Sequence, residues 1–565
     1  MRTLRSVIRI AFVGITVYSV LSSVLIYVFL QWWSTGVLKA GSERDTGNNI
    51  SSCTQRRRPF NVLSHDFTPR DEIALHGWWQ DQVTVKSDVQ CFNEPWALCS
   101  TAFSITCKPT TVRAVYQHVS FKRNLRLQSF RLSVRASAEQ LESQAPDSFL
   151  GALVLIKLSD GSEEFHSVNF SPSTSTLTQR DGLYTVSRPS CTIFTATVML
   201  SCYGYAGTIH FTDVVLTPIT EQDSYCAREN FVEDCPESIR DARLKPKIRH
   251  ELVLGKAKPS ARKRHLTKDI ALVTQLSMDR LPVLQHTLQH WEGPVSLVVH
   301  VPVKPGQPDN DWQKLYIQKK LQILKLHPDS HVTLAYESAI YGDYPINTLR
   351  NLAIRQTNCE FLLLADADFQ PSPDFHKHFL LATRSLSGAD KTAFVVPAFE
   401  YIDVPQKSDG VPQSKEELMQ LLHRQDPFVQ PFRQDVTPDS HRMTDYWKWY
   451  RTDRPYKVSS FSDKYEPYVV LKNTAQLPMF DERFSGYGMN KITHVTELFA
   501  AGYTFYVLPE VWLIHVPHKP STYFVDHVQN PQHRLMNRVQ RFEFLVDILR
   551  RYGLGSCSSR TLTSH

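Results

Sequence analysis

The pattern of apolar and polar positions changes at about residue 269. From there on, short apolar runs alternate with segments of helical periodicity. The predicted strands are 269–274, 295–301, 332–336 and 361–364, and the predicted helices are 312–326 and 347–356. Strands that alternate with helices predict a mostly parallel sheet with ligand sites at the carboxyl ends of its strands. We therefore expect an α/β domain over residues 269–555.

The preceding region, residues 111–222, has an all-β pattern. Its predicted strands include 125–132, 152–158, 193–200 and 208–216. Short strands at regular spacing predict a β-sandwich or jelly roll. The segment Gly207–Pro218 resembles the closing strand of jelly-roll carbohydrate-binding modules. This module could therefore bind carbohydrate, or it could be a structural spacer.

The N-terminus carries a membrane signal. Ile10–Leu30 contains 21 residues without a charge, and a helix of that length spans roughly 32 Å, close to the hydrocarbon core of a bilayer. Arginines precede the run and tryptophans follow it, at Arg2, Arg5, Arg9, Trp32 and Trp33. This arrangement predicts a cytosolic tail (1–9), a transmembrane signal anchor (10–33) and a lumenal body. A cleaved signal peptide is the alternative.

Cysteine and charge usage agree with a lumenal body. Eight of the ten cysteines lie between Cys53 and Cys235, so we expect disulfides, although close spacings such as Cys91/Cys99 would also suit metal knuckles. Residues 34–110 read as a cysteine-containing stem. The net charge of +7 is local, because residues 243–268, within the predicted linker (223–268), contain ten Lys/Arg and one Asp/Glu. A basic charge confined to one segment indicates a solvated linker rather than nucleic-acid binding.

Two carboxylates follow the apolar run at residues 361–364. Asp366 and Asp368 are two positions apart, so in an extended chain their side chains would point the same way. Oxygen donors at the carboxyl end of a buried strand suit a Mg²⁺ or Mn²⁺ ion that also holds phosphate oxygens. The alternative is an Asp-containing turn, since Pro371 and Pro373 follow closely.

Further candidates flank this pair. Asn347, Arg350 and Asn351 lie at helical spacing and share one face. The Arg350 guanidinium suits phosphate, although a surface salt bridge would explain it equally well. Downstream, glycines precede a predicted helix, and histidines follow an apolar strand; the polar residues there are Asp481, Asn490, Lys491, Glu497, His515, His518 and Lys519. An isolated histidine is more often structural than functional.

These segments, in this order, resemble glycosyltransferase family 49, which includes a β-1,4-glucuronyltransferase and the glucuronyltransferase half of LARGE-type enzymes. The resemblance covers about residues 270–549. It rests on the motifs at 279–281, 344–351, 366–368, 395–400, 414–418, 447–451, 465–470, 481–488 and 514–521. It implies a Rossmann-like GT-A fold, a Golgi type II membrane enzyme, a UDP-sugar donor, a Mn²⁺ (or Mg²⁺) ion and inversion at the anomeric carbon.

The resemblance also implies roles for individual residues. Asp366 and Asp368 match the metal-binding pair, and His515 is expected as a further ligand. Glu497 and Asp481 are the candidates for the base that inversion requires. The expected nucleotide-sugar contacts are Asn347, Arg350, Asn351, Gly486, Gly488, Asn490, Lys491, His518 and Lys519.

The expected function is transfer of glucuronate from UDP-glucuronate to a glycan or glycoprotein acceptor. Transfer of another sugar, such as xylose or N-acetylglucosamine, is the alternative within enzymes, and a non-catalytic glycan-binding Golgi protein is the alternative outside them. Met489 stands where the family usually has Trp. We expect that change to affect a sugar or acceptor wall and hence sugar identity, rather than metal binding.

Overall fold

The computed structural model describes the greater part of the chain from residue 100 onward, together with short segments before it. The described residues are 63, 78–81, 86–90, 100–122, 125–145, 148–173, 176–219, 248–255, 266–302, 311–336, 344–384, 389–402, 412–424, 428–519 and 531–552. The predicted membrane anchor lies outside them. Within these ranges, none of the helices combines the length and the apolar character needed to span a bilayer.

Among the described residues, ten strands precede the α/β region. They are β1 (Trp79–Asp81), β2 (Lys86–Gln90), β3 (Ser100–Cys107), β4 (Arg113–Ser120), β5 (Ser129–Ser143), β6 (Phe149–Leu158), β7 (Glu163–Asn169), β8 (Thr178–Thr185), β9 (Ile193–Tyr203) and β10 (Tyr205–Ile219). They form two five-stranded sheets, in the orders β1-β4-β9-β6-β7 and β2-β3-β10-β5-β8. The first three strands fall within the segment that the sequence assigned to the stem.

One hydrophobic core joins the two sheets. It includes Phe103 and Ile105 of β3, Val154 of β6 and Phe211 of β10. Alternating residues of these strands face inward, as expected where a sheet buries one face. A disulfide between Cys107 and Cys202 links β3 of one sheet to β9 of the other. The sheets are therefore held both by packing and by a covalent bond.

The α/β region contains thirteen strands and eight helices among the described residues. The strands are β11 (Arg249–Leu254), β12 (Thr267–Ser277), β13 (Val295–Val301), β14 (His331–Tyr336), β15 (Cys359–Leu364), β16 (Phe369–Pro371), β17 (Thr392–Val396), β18 (Ala398–Tyr401), β19 (Val429–Pro431), β20 (Tyr456–Lys457), β21 (Tyr468–Lys472), β22 (Thr504–Val507) and β23 (Leu513–His515). The helices are α1 (Leu281–Thr287), α2 (Asp311–Ile323), α3 (Ile346–Gln356), α4 (Phe375–Thr383), α5 (Lys415–Leu422), α6 (Tyr446–Trp449), α7 (Asn490–Ala500) and α8 (Pro531–Arg551).

Nine of these strands form the main sheet, in the order β11-β14-β13-β12-β15-β21-β17-β22-β20. The four strands β14, β13, β12 and β15 are mutually parallel, as the sequence predicts, and β21 runs antiparallel to β15. Strand β13 is buried along its whole length, which is why it reads as a continuous apolar run. Strand β11, inside the predicted linker, forms one edge of this sheet and pairs with β14.

A smaller sheet lies at one end of the α/β region, in the order β16-β23-β18-β19. Strand β16 follows the predicted metal-binding pair, and β23 ends at the predicted ligand His515. The register pairs Phe369 of β16 with His515 of β23. This small sheet is therefore what brings residues about 150 positions apart to the same place.

The last helix, α8, packs against the first β-sandwich sheet. Its Phe542 ring stacks on Trp79 of β1 and on Tyr116 of β4, in both cases with ring centroids 5.2 Å apart. Apolar residues of β6, β9 and α8 complete the same hydrophobic cluster. The outer face of that sheet is thus covered by a helix from the carboxy-terminal region.

Candidate active site

The two predicted metal-binding carboxylates lie in a turn rather than on an extended strand. Strand β15 ends at Leu364, and the next strand begins at Phe369. The Phe369 amide donates to the Asp366 carbonyl at 3.2 Å. Because the chain turns between them, Asp366 and Asp368 have different partners. The structure thus combines the two alternatives that the sequence left open, a carboxylate pair and an Asp-containing turn.

Asp368 lies with two histidines in one compact group. Its Oδ2 is 2.6 Å from His518 Nε2 and 3.7 Å from His515 Nε2. One potential ligand atom from each of the three residues lies within 4.8 Å of the other two. A hydrogen bond from the Val516 amide to the Asp368 carbonyl, 2.9 Å long, fixes the turn against the end of β23.

This group has the properties of a metal site. Within the described part of the chain, Asp368 Oδ1 is buried and has no hydrogen-bond partner, a costly arrangement unless an ion satisfies that oxygen. His518 Nδ1 is 2.8 Å from the Lys519 carbonyl. The other ring nitrogen, Nε2, lies on the Asp368 side and is the atom that would bind an ion.

The donor types distinguish between metals. One carboxylate with two imidazoles suits Mn²⁺ better than Mg²⁺, which prefers oxygen donors and retains several waters. Burial would raise the pKa of the Asp368 carboxyl, but the hydrogen bond from His518 and the neighbouring His515 imidazole outweigh it and lower the pKa to about 2. The hydrogen bond to Asp368 raises the pKa of His518. The carboxylate is therefore ionised and available as a ligand.

Asp366 is held by cations instead. Arg350 donates to its Oδ1 at 2.8 Å, while Lys491 and the Tyr468 hydroxyl each donate to Oδ2 at 3.0 Å. Burial opposes ionisation, yet Lys491 and then Arg350 hold the pKa of Asp366 well below its usual range. The structure therefore places His518, and not Asp366, in the three-ligand group.

A pocket lies beside these residues, between β12, β15 and α7. Arg350, Asp366 and Lys491 supply its charged wall, and Gln275, Phe480 and His494 are among its other lining residues. The Arg350 guanidinium also lies over the Phe480 ring, 5.1 Å from its centroid. The pocket thus offers two cations next to the candidate metal group, at the edge of the sheet where the sequence places a ligand site.

The other two polar residues of α3 have a different position from Arg350. Asn347 donates to the Asp481 carbonyl at 2.8 Å. Asn351 donates to the Phe480 carbonyl at 2.9 Å and accepts from the Phe480 amide at 2.9 Å. The three residues therefore share one face of α3. Asn347 and Asn351 bind the backbone of residues 480–481, before the glycines, and only Arg350 lines the pocket.

The glycine segment also divides into two parts. Gly486 and Gly488 both have positive φ, at 64° and 99°, and a Cβ on Gly486 would come within 2.7 Å of the His533 ring. Asn490 donates to the Gly486 carbonyl at 3.2 Å, whereas Lys491 reaches the pocket. Met489 was expected at a sugar or acceptor wall. It packs instead against the apolar cluster that α8 forms with the β-sandwich.

The two predicted bases lie in buried ion pairs. Asp481 is 1% exposed and accepts from Arg483, whose other terminal nitrogen is 2.9 Å from Asp547 of α8. Glu497 is also 1% exposed and lies 2.9 Å from Arg551 Nη1. The structure does not bring either carboxylate into the group around Asp368.

The structure adds two residues that the sequence motifs contained but that were given no role. Tyr468 hydrogen-bonds both Asp366 and Lys491. Arg280 Nη1 is 2.8 Å from His518 Nδ1, and its Nη2 donates to the Lys519 carbonyl at 2.8 Å. Each lies within a motif shared with the family, at 465–470 and 279–281, which was the available signal. The Lys519 side chain itself is exposed.

Comparison with known proteins gives consistent matches to one family. Residues 307–553 match the family described as "Glycosyl-transferase for dystroglycan". "Xylosyl- and glucuronyltransferase LARGE2" of Mus musculus is 37% identical over 290 residues, which is 50% of this chain and 39% of that protein. "Xylosyl- and glucuronyltransferase LARGE1" of Homo sapiens is 34% identical over 289 residues, 51% of this chain and 36% of that protein.

These matches leave more than half of each relative uncovered, since the chain spans under two fifths of their length. Among solved structures, "GalNAc-T7 with UDP, GalNAc and Mn2+" is 11% identical with a TM-score of 0.29, and the match covers 54% of this chain and 58% of that one. The family match and the curated relatives confirm the resemblance seen in the sequence motifs. Residues 307–553 of this chain are therefore a glycosyltransferase family 49 domain.

Proposed function

We propose that this chain is an inverting, metal-dependent glycosyltransferase that transfers glucuronate from UDP-glucuronate to a glycan acceptor. The observation that supports it most is the Asp368/His515/His518 group beside a pocket with two cations, within a family 49 domain. A GT-A arrangement of the domain and a place in the Golgi membrane, with the domain in the lumen, belong to the same proposal.

The metal would be held by Asp368, His515 and His518, and the donor set favours Mn²⁺. When bound, such an ion stabilises the negative charge that develops on a departing diphosphate. The Asp368 carboxylate gives the three-ligand group one negative charge. A divalent ion would make the group positive overall, and a positive group attracts a diphosphate.

The neighbouring residues then have separate tasks. Arg350 and Lys491 present cations in the pocket wall while holding Asp366 in place. Tyr468 stays protonated, because burial, with Asp366 and Asp368 nearby, raises the pKa of its hydroxyl well above the usual range. It can therefore donate to Asp366 throughout a reaction cycle. Lys491 and Arg350 are the groups that we expect to contact the diphosphate of the donor.

A second donor is favoured by the names of the relatives, which are described as both xylosyl- and glucuronyltransferases. UDP-xylose is therefore the comparison donor for UDP-glucuronate. The match to those relatives is partial, so their names alone do not decide which of the two sugars this chain transfers.

The test measures UDP release by the full chain in detergent. UDP-glucuronate, UDP-xylose and UDP-N-acetylglucosamine are each offered with Mn²⁺ and with p-nitrophenyl β-xyloside or β-glucuronide as acceptor. We expect turnover with UDP-glucuronate that stops on addition of EDTA and is absent in Asp368→Asn. Preference for another donor would contradict the glucuronate assignment. Glycan binding without turnover for any donor would favour the non-catalytic alternative.

A further inference from the structure

A row of four side chains crosses the small sheet next to the candidate metal group. The register pairs Phe369 of β16 with His515 of β23, His515 with Glu400 of β18, and Glu400 with Gln430 of β19. Residues paired in register project from the same face of a sheet, and neighbouring strands are about 4.8 Å apart. Glu400 therefore lies one strand away from His515, on the same face.

Of the four side chains in this row, Phe369 is buried and the other three are partly exposed. Phe399 and Tyr401, the neighbours of Glu400 along β18, point to the other side and are buried in the core. Glu400 itself is partly exposed, as is His515. Since the side chains of a strand alternate between faces, Glu400 lies on the face that carries His515, and its partial exposure leaves it accessible to solvent.

The Glu400 carboxylate is also fixed in position. Gln430 Nε2 and the Arg433 amide both donate to its Oε1, each at 2.9 Å. The Arg433 side chain continues to the Tyr487 hydroxyl at 2.9 Å, in the glycine segment before α7. Both bonds go to one oxygen, which leaves Oε2 oriented for a further hydrogen bond.

The other acidic side chains near the site are placed differently. Asp481 and Glu497 are each 1% exposed, so an acceptor hydroxyl cannot reach them in this structure. Glu466 is partly exposed, but its Oε1 lies 3.6 Å from Lys491 Nζ, on the side of the pocket cations. A positioned carboxylate that contacts both substrate and solvent is what general-base catalysis requires.

We propose that Glu400 is the catalytic residue that takes the proton from the acceptor hydroxyl. This role rests on the proposed glycosyltransferase function. As the acceptor oxygen bonds to the anomeric carbon, the bond from that carbon to the diphosphate oxygen breaks. Its electron pair leaves with UDP. The proton of the acceptor hydroxyl passes to Glu400 Oε2 and then to water.

The test uses the full chain with Glu400→Gln, which keeps the shape of the side chain and an oxygen for both donors. We expect kcat for UDP release to fall by about 10²- to 10⁴-fold, the usual range for removal of a general base. The KM for UDP-glucuronate and the calorimetric Kd for UDP with Mn²⁺ should stay within about twofold of the wild type, because Glu400 is not among the pocket residues.

Three variants provide the comparison. Glu360→Gln changes a strand glutamate of β15 that lies near Lys472 and outside the pocket, and it should leave kcat unchanged. Glu466→Gln and Glu497→Gln test the competing carboxylates, for which we expect smaller losses of kcat per folded molecule than for Glu400→Gln.

The outcomes separate this inference from the proposed function. If the wild type is active and Glu400→Gln retains more than one tenth of the wild-type kcat, the base role is overturned and the enzyme assignment stands. A loss of UDP–Mn²⁺ affinity equal to the loss of kcat would overturn it too, since the residue would then serve donor binding. A wild type without turnover for any donor would contradict the proposed function itself.

Discussion

Two clusters of charged residues include side chains from the segment on either side of Gly486 and Gly488. They differ in whether solvent reaches them. The metal-side cluster consists of Asp366, Asp368, His515, His518 and Lys491. The interface cluster consists of Asp481, Arg483, Asp547, Glu543 and His118. The Asp366 and Asp368 side chains are 27% and 26% exposed, whereas those of Asp481 and Asp547 are 2% exposed. A substrate can reach the first cluster and not the second.

The interface cluster is sealed by packing between α8 and the β-sandwich. The stacked rings of Phe542, Trp79 and Tyr116 lie in the surrounding apolar cluster. Glu543 accepts a 2.7 Å hydrogen bond from Thr197 of β9, and His118 Nδ1 lies 2.8 Å from the same hydroxyl. Carboxylates near a glycine segment can thus serve either chemistry or domain packing. The deciding factor is what covers them.

The largest expected effect is on activity, for Asp368→Asn in the metal-side cluster. The amide cannot supply the negative charge that a metal site needs, so we expect turnover to fall by at least about 10³-fold, in line with several kcal/mol of charge stabilisation by a bound ion. UDP release and thermal unfolding measure activity and folding separately, and the Tm should change little.

Asp481→Asn is the matched change in the interface cluster, and it should show the reverse behaviour. We expect a lower Tm, because Arg483 loses one of its two carboxylate partners, and near-normal activity of the folded fraction. Full activity in Asp368→Asn would remove that residue from the metal site. A loss of turnover in Asp481→Asn without a change in Tm would instead support a catalytic role for Asp481.

The next effect is on stability, for Arg483→Met. Asp481 and Asp547 would both lose a cation while buried, and breaking such a pair typically costs about 3–5 kcal/mol. The free energy of unfolding, from urea titration, is the measurement. Arg442→Met provides the control, because Arg442 pairs with Asp439 and their side chains are 69% and 46% exposed. An exposed pair contributes about 1 kcal/mol or less, so equal losses in the two variants would contradict the buried role of Arg483.

The sequence was sufficient for features that depend on local pattern. The buried parallel strands are visible as apolar runs, and β13 and α3 lie within one residue of their predicted bounds. Asp366, Asp368, Arg350, Lys491 and the histidines are singled out by residue type and family motif. The structure brings all of these together at one edge of the main sheet.

What the sequence could not show depends on contacts between distant segments. From the sequence, Asp481 and Glu497 look like catalytic carboxylates. In the structure, Asp481 pairs with Arg483, which also binds Asp547, and Glu497 pairs with Arg551. Met489 was assigned to a sugar wall, but it packs against residues of α8. The pairing of β18 with β23 that brings Glu400 next to His515 joins positions 115 residues apart, and no periodicity predicts such a register.

Lys491→Gln is expected to have an intermediate effect on donor binding. The side chain would lose its charge at the pocket wall, where hydrogen bonds to charged groups are worth about 1.5–3 kcal/mol, so KM for the UDP-sugar should rise by roughly 10- to 100-fold. Lys519→Gln is the comparison, since the Lys519 side chain is exposed and only its backbone carbonyl joins the His518 group. A larger rise in KM for Lys519→Gln than for Lys491→Gln would mean that Lys519, and not Lys491, is the main lysine contact of the donor.

The smallest effect concerns the pH dependence of stability and involves Glu543 in the interface cluster. Burial raises the pKa of Glu543 to about 7, despite the opposing charge of Lys157. Because the unfolded chain ionises near the ordinary value, this residue costs no stability below about pH 4.5. The cost grows as the pH rises and is complete above about pH 7.

Glu543→Gln cannot ionise and still accepts from Thr197, so it should remove that cost. We expect the free energy of unfolding of the variant to exceed that of the wild type by about 1–2 kcal/mol at pH 8 and to equal it at pH 4.5. The gain stays below the full titration cost because Lys157 and Arg483 lose an attractive neighbour. Urea titrations at the two pH values measure it, with Glu360→Gln as a control that should show no such divergence. A difference that is the same at both pH values would mean that Glu543 already carries its charge in the folded interface, and the contrast between an ionised Asp368 in the open cluster and a protonated Glu543 in the sealed one would then fail.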